Sequence, residues 1–209
     1  MAANERPYIF IDTCSLLESC WNRTSGTGGE ERFDYSKSKD EMFWGRQFAS
    51  LVSMGDVIIP KRNYEELVKH SRNNARPDLA SRAKHVLQKI ATLHREGKIQ
   101  IVGDENDPFA DAILLSVALK FRTQKNMAFI TQDRKLSEDL ESIRHFKSVD
   151  NRNGYDIKIR RISKSGALEE HRGLGTHKHR EHKHEFDRAR PVQETEKPKT
   201  TSSKGWWES

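Results

Sequence analysis

Short apolar runs alternate along this chain with longer stretches in which apolar residues recur every three or four positions. Tyr8 to Ile11 (YIFI) has the pattern of a buried parallel strand and runs directly into Asp12. A helix is predicted over 13–21. Residues 22–36 read as a loop, because Gly, Ser and Thr dominate and no period holds. An amphipathic helix is predicted over 37–54, with Met42, Phe43, Phe48, Leu51 and Val52 available to a core. A strand at 57–59 stops at Pro60, and a helix over 63–72 follows. Pro77 suits the first turn of the next helix, which runs to Arg95 with Leu79, Ala83, Val86, Leu87, Ile90 and Leu93 at helical spacing.

The second half repeats the alternation: strand 99–102, apolar helix 108–121, strand 127–131, short helix 134–143. FKSV at 146–149 is a candidate closing strand. Residues 156–162 are a candidate extra edge strand, although Ile157, Ile159 and Ile162 keep strand spacing only imperfectly. Strands alternating with helices call for a parallel sheet covered on both faces, so the expected class is α/β, a three-layer α/β/α sandwich.

The pattern fades after Gly166. Residues 1–165 are therefore expected to form one domain with an insertion at about 22–39, a size suited to a single core. Residues 166–209 hold too few apolar groups to offset the entropy of ordering them and read as a basic, His-rich, disordered tail. Its His171, His177, His179, His182 and His184 could serve transition-metal binding, flexible contact with RNA or mere solubility, and Trp206 and Trp207 could stack on bases or dock on a protein.

Charge changes the picture modestly. The chain carries a net +6, concentrated late: residues 151–190 hold 11 Lys or Arg against 6 Asp or Glu, while residues 1–150 are nearly balanced at 23 against 22. A basic excess attracts polyanions, and it is equally the mark of an ordinary solvated surface. Cys14 and Cys20 alone make neither a disulfide framework nor a zinc ligand set, which suits a reducing compartment. Lacking a charged leader with an apolar run, or any stretch near the roughly 20 apolar residues of a membrane span, the protein is expected to be cytoplasmic with no membrane partner.

Four acidic residues draw attention. Asp12 follows YIFI and Asp133 follows MAFIT by one residue, which puts both at the carboxyl ends of parallel strands, where open α/β sheets bind ligands. Asp111 interrupts the apolar helix PFADAILLSVALKF; it either meets a partner or favourably faces the first-turn dipole. Asp107 before Pro108 would cap that helix. In NYEELVKH, periodicity does not choose between Glu65 and Glu66, either of which could occupy a solvated helix face. Clustered carboxylates repel one another and need a compensating cation, for which hard divalent ions are suited.

Taken together, FIDTCSLL, YEEL, DAILLSVAL and FITQD, in that order and spacing, resemble the PIN-domain nucleases over about residues 7–150. That family includes toxin ribonucleases of toxin–antitoxin pairs and RNA-processing enzymes. The resemblance implies a sheet of order 3-2-1-4-5 and selects Asp12, Glu66, Asp111 and Asp133 as the ligands of one or two Mg²⁺ or Mn²⁺ ions. It further implies an endoribonuclease leaving 5′-phosphate and 3′-hydroxyl ends on single-stranded or loop RNA, with an inhibitory protein partner or a homo-oligomer as further expectations. A catalytically silent PIN-like module that binds RNA or a protein is the alternative.

Many members carry Asn where this chain has Cys14. If that Asn orients Asp12, the weaker S–H donor or another group takes over here. Thr13, Cys14, Ser15 and Thr131 are candidates for orienting the carboxylates or a phosphate, with helix capping as the ordinary role of Thr13 or Ser15. Lys61, Arg62, Lys69, Arg72, Arg134 and Lys135 flank the acidic elements and are the candidate RNA contacts, or else plain solvated charges. A dehalogenase-like phosphatase would want a second Asp at position 14, and a phospho-acceptor domain would want paired acids around the first strand; neither pattern fits.

Overall fold

The computed structural model describes residues 6–25, 31–104, 110–145 and 154–171. All of these lie within the compact unit Met1–Gly175. The candidate strand at 146–149, Asp107 and the chain beyond His171, with its His-rich and Trp-bearing segments, lie outside the described residues.

Strand β1 (Tyr8–Ile11) ends at Asp12, and the chain turns at once into helix α1 (Thr13–Glu18). Next come β2 (Trp21–Ser25) and β3 (Glu31–Tyr35), which pair antiparallel with Trp21 opposite Tyr35. This hairpin corrects the expectation of a loop over 22–36 and trims the helix expected to reach residue 21. Its polar strands bury little, so hydrophobic periodicity gave no signal; ladder hydrogen bonds and the edge contact of Trp21 with Tyr35 hold it instead.

Helix α2 (Lys37–Asp40) passes through a π-helical stretch, Glu41–Gln47, into α3 (Phe48–Met54), which together occupy the span predicted for one amphipathic helix. Then follow β4 (Asp56–Pro60), α4 (Lys61–Ser71), α5 (Pro77–Arg95), β5 (Gln100–Val102), α6 (Ala110–Phe121), β6 (Met127–Ile130) and α7 (Arg134–Arg144). The described chain closes with β7 (Ile157–Ile162) and β8 (Leu168–Glu170).

Six strands form one sheet in the order β5-β4-β1-β6-β7-β8, all parallel except β8. Strand β7 pairs on both sides, so the segment at 156–162 is not an edge; β8 is. That strand also falls inside the stretch assigned to a disordered tail from residue 166. Its apolar contribution is a single partly buried Leu168, too little for a periodicity argument to find.

Alternation along each strand sends side chains to two cores. Ile9, Ile11, Val57, Ile59, Ile130 and Ile162 face α1, the π-helical stretch, α3, α4 and α5, through residues such as Leu16, Phe43, Leu51, Leu67 and Val86. Phe10, Ile58, Met127, Phe129, Ile157 and Ile159 face α6 and α7 through Leu114, Ala118, Leu136 and Leu140. Ile162 looked misplaced only because it serves the opposite face from Ile157 and Ile159. Each such fully buried side chain contributes about 1.5–3 kcal/mol. The result is a mixed α/β structure with a mostly parallel sheet flanked by helices, compatible with a three-layer α/β/α sandwich.

The chain builds outward from β1 through β4 to β5, then crosses back to lay β6 on the other side of β1. Strand order therefore reverses between β1 and β6, and the carboxyl ends of strands at such a reversal are where open α/β sheets bind ligands.

Candidate active site

Asp12 and Asp133 follow the carboxyl ends of β1 and β6, one on each side of that reversal. Parallel pairing of β1 with β6 continues one residue past the strands, where the Asp12 amide donates to the Ile130 carbonyl at 3.0 Å. Thr131 thus lies beside Asp12. Its Oγ1 donates to Asp12 Oδ2 at 3.0 Å and accepts the Asp133 amide at 3.0 Å, so one buried hydroxyl ties the two acidic residues together. Each acid also caps a helix: Asp12 Oδ1 accepts the Thr13 amide at 2.7 Å, and Asp133 Oδ1 accepts the Leu136 amide at 2.8 Å. Asp12, rather than Thr13 or Ser15, is the cap of α1.

Helix α4 supplies the third acid. Glu66 Oε2 accepts the Thr13 hydroxyl at 2.7 Å, whereas Glu65 turns to Arg62 at 2.9 Å. Asn63, one turn earlier on the same face, is fully buried, and its Nδ2 donates to Asp12 Oδ1 and to Thr13 Oγ1, both at 3.0 Å. Sequence reasoning missed this residue; the signal was its spacing of three from Glu66. Cys14 donates its S–H to Asp12 Oδ2 and accepts the Gln132 amide at 3.3 Å. Burial first, then the Asp12 charge, pushes the Cys14 thiol pKa upward and keeps it a donor. Cys14 and Asn63 thus each donate to one oxygen of Asp12.

Asp111 occupies the first turn of α6 and is exposed at its surface. Its pKa is raised, first by desolvation and then by the charges of Asp12, Asp133 and Glu66, with Lys135 acting in the opposite direction. All three other acids press on this one side chain, which brings the four into a common field. Asp12 is also raised, mainly by its burial and further by Asp133, against the lowering effect of donors from Cys14, Thr131 and Thr13. The four groups that donate to Asp12 are all neutral, so hydrogen bonds orient its charge without cancelling it.

Other candidates fare unevenly. Ser15 faces the interior, fully buried with its hydroxyl unpartnered, and is not placed to meet a phosphate. Arg62 and Arg134 pair with Glu65 and Glu138 on their own helices. Lys61 begins α4 half-buried, and Lys69 and Arg72 are exposed towards its far end. The charge of Lys135, another basic candidate, acts on Asp111. A basic feature that the sequence did not suggest lies next to Gln132, whose Nε2 donates to the Ile162 carbonyl at 2.6 Å. There a cleft of about 760 Å³ is lined by Asn22, Arg23, Arg161, Ser163 and Lys164, with Glu18 and Glu169 also on its walls.

No protein-family model matches this chain, and comparison with curated proteins finds no match. Among the described residues, no helix is long and apolar enough to cross a membrane.

Proposed function

We propose that this chain is a PIN-like, divalent-metal-dependent endoribonuclease that hydrolyses RNA to 5′-phosphate and 3′-hydroxyl ends. The observation that carries the reading is the tying of Asp12 to Asp133 through the Thr131 hydroxyl and to Glu66 through Thr13 and Asn63 at the strand-order reversal, with Asp111 under the charges of all three. Carboxylates so arranged, with neutral donors around the most buried one, match the all-oxygen ligand sets of Mg²⁺ and Mn²⁺. Asp12, Asp111 and Asp133 would hold one or two such ions, with Glu66 as a further ligand or as the group that orients a water. When bound, an ion would supply charge neutralisation for the phosphoryl oxygens and acidify the attacking water.

The chain's own groups do the rest. Thr131 fixes the separation of Asp12 and Asp133, and Thr13 fixes Glu66 relative to Asp12, so the acids approach substrate as a preset frame. Lys135 moderates the field at Asp111 and would be a contact for a substrate phosphate. Arg161 and Lys164 in the neighbouring cleft offer cationic contacts to the sugar–phosphate backbone.

The test is sequencing of cleavage ends from RNA incubated with the full chain and Mn²⁺. D12N and D111N should each abolish the cleavage while preserving RNA binding. Cleavage retained in both variants of a clean preparation would overturn the site. Absence of enzyme-dependent ends in the wild type, with RNA or protein binding intact, would leave the silent module as the function.

A further inference from the structure

Away from the four carboxylates, a second group of ligand-type side chains is assembled by residues distant in sequence. Cys20 directly precedes β2, Asp40 ends α2, and His85 lies mid-way along α5. The Cys20 Sγ, an Asp40 oxygen and a His85 ring nitrogen all lie within 4.8 Å of one another.

We propose that Cys20, Asp40 and His85 form a binding site for a borderline-soft divalent ion of the zinc class, which fastens the β2–β3 hairpin to α5. The site is independent of the nuclease reading. Zinc bonds of about 2.0–2.3 Å in tetrahedral geometry imply ligand-to-ligand edges of about 3.3–3.8 Å. Cys20 Sγ lies 3.4 Å from Asp40 Oδ1 and His85 Nε2 lies 3.6 Å from Asp40 Oδ2, so each already approaches one carboxylate oxygen at this range, and one ligand atom from each residue lies within 4.8 Å of the others.

Two further features point to an ion. His85 Nε2 is buried and makes no hydrogen bond, although the Asp40 carboxylate lies just beyond reach. The Trp44 indole N–H donates to Cys20 Sγ at 3.1 Å, the kind of outer partner that orients and stabilises a ligating thiolate. A sulfur ligand selects zinc-class ions over Mg²⁺, which separates this site from the all-oxygen cluster.

Lys89 shows where the cation belongs. Its Nζ sits against both Asp40 oxygens at 2.8 and 3.0 Å, while the Tyr35 hydroxyl donates to Oδ2 at 2.9 Å. The Lys89 side chain is 34% exposed and, with Asp40, Trp44 and His85, lines a cavity of about 490 Å³ into which it can withdraw. Charge then balances. One divalent ion replaces the ammonium, the Cys20 thiol proton leaves to solvent, and thiolate plus carboxylate neutralise the ion beside a neutral imidazole, with water free to take the fourth position.

Titration of the full chain with Co²⁺ tests the site, because a thiolate ligand gives a sulfur-to-cobalt charge-transfer band in the near ultraviolet. The band should saturate at one ion per chain, be displaced by Zn²⁺, persist in C14S and vanish in C20S and H85Q. The histidines of the tail cannot produce it, since residues 166–209 contain no cysteine. W44F should weaken binding by about tenfold. K89M should strengthen it by removing the competing cation, and carries the test should C20S fold poorly. A wild-type chain without the band, a band unchanged in H85Q, one lost in C14S, or weaker binding in K89M would each overturn the proposal and leave Asp40 as the centre of a hydrogen-bonded network.

Discussion

Replacing Thr131 with Val preserves shape and removes one hydroxyl, which makes it a direct probe of the link between Asp12 and Asp133. The residue is 2% exposed, so solvent cannot replace the lost group at little cost. A hydrogen bond to an ionised acceptor is worth about 1.5–3 kcal/mol, and one to a neutral acceptor about 0.5–1.5 kcal/mol. At neutral pH the Asp12 contact alone should therefore account for about 1.5–3 kcal/mol of lost stability. For a chain of this size that is a fall in Tm of about 3–12 °C. The sign with pH follows from the donor's effect: Thr131 lowers the Asp12 pKa, so T131V raises further a value already above that of an unfolded Asp. The full penalty is present above both folded pKa values and shrinks to the neutral-bond figure as pH falls through them. Loss of the acceptor for the Asp133 amide is common to both protonation states and cancels in the comparison. Urea unfolding of chelator-treated wild type, T131V and T131S across a pH series measures the gap. A penalty that stays constant with pH would refute the claim that this hydroxyl serves an ionised, buried Asp12.

Three other outcomes follow from the same geometry. Because the folded pKa values of Asp12 and Asp111 are raised, the metal-free chain gains stability from them as pH falls towards the ordinary carboxylate value of about 3.9. Asp40, whose pKa is lowered despite burial by its Lys89, Tyr35 and Cys20 partners, gives the opposite slope; D12N should remove its share of the acid-side gain and raise neutral-pH stability in a chelator, as thermal melts would show. N63D places a second buried carboxylate against Asp12 and should cost about 3–5 kcal/mol at neutral pH, recovered by acid or Mn²⁺; an unaffected Tm would contradict the contact. Gly166 has a φ of +89°, and a Cβ there would meet the Lys39 carbonyl at 2.6 Å, so G166A should destabilise by more than about 1 kcal/mol. Faster hydrogen exchange in β8 would accompany it.

The parallel strands and long helices were legible because burial on both sheet faces leaves nearly continuous apolar runs, and Pro77 marks its helix start as the structure has it. The hairpin was not, since Asn22, Arg23, Thr24, Arg32 and Asp34 carry no apolar alternation and its cohesion is in paired backbone and in side chains distant in sequence, such as Arg82 over the Phe33 ring and His85 against Tyr35. Within the site, Asp12 and Asp133 could be placed from topology. Glu66 could not be separated from Glu65 by periodicity, because that choice depends on Thr13, a residue 53 positions away. Asn63 lay hidden for the same reason: a buried amide looks like any polar residue until its acceptor is in place.

The saturation of Asp12 has a kinetic meaning. A carboxylate offers about four lone-pair sites, and Asp12 already serves four donors, two on each oxygen. Were Asp12 to take an ion as proposed, the ion could not simply add to this residue; it would have to evict a donor. An S–H is a weaker donor than an N–H or O–H, so Cys14 would be the natural leaving partner, and its swing away from Oδ2 would set the threshold for loading. On the proposed metal-binding reading, Cys14 would thereby act as a latch, and occupancy at Asp12 would be an exchange of a thiol for a cation.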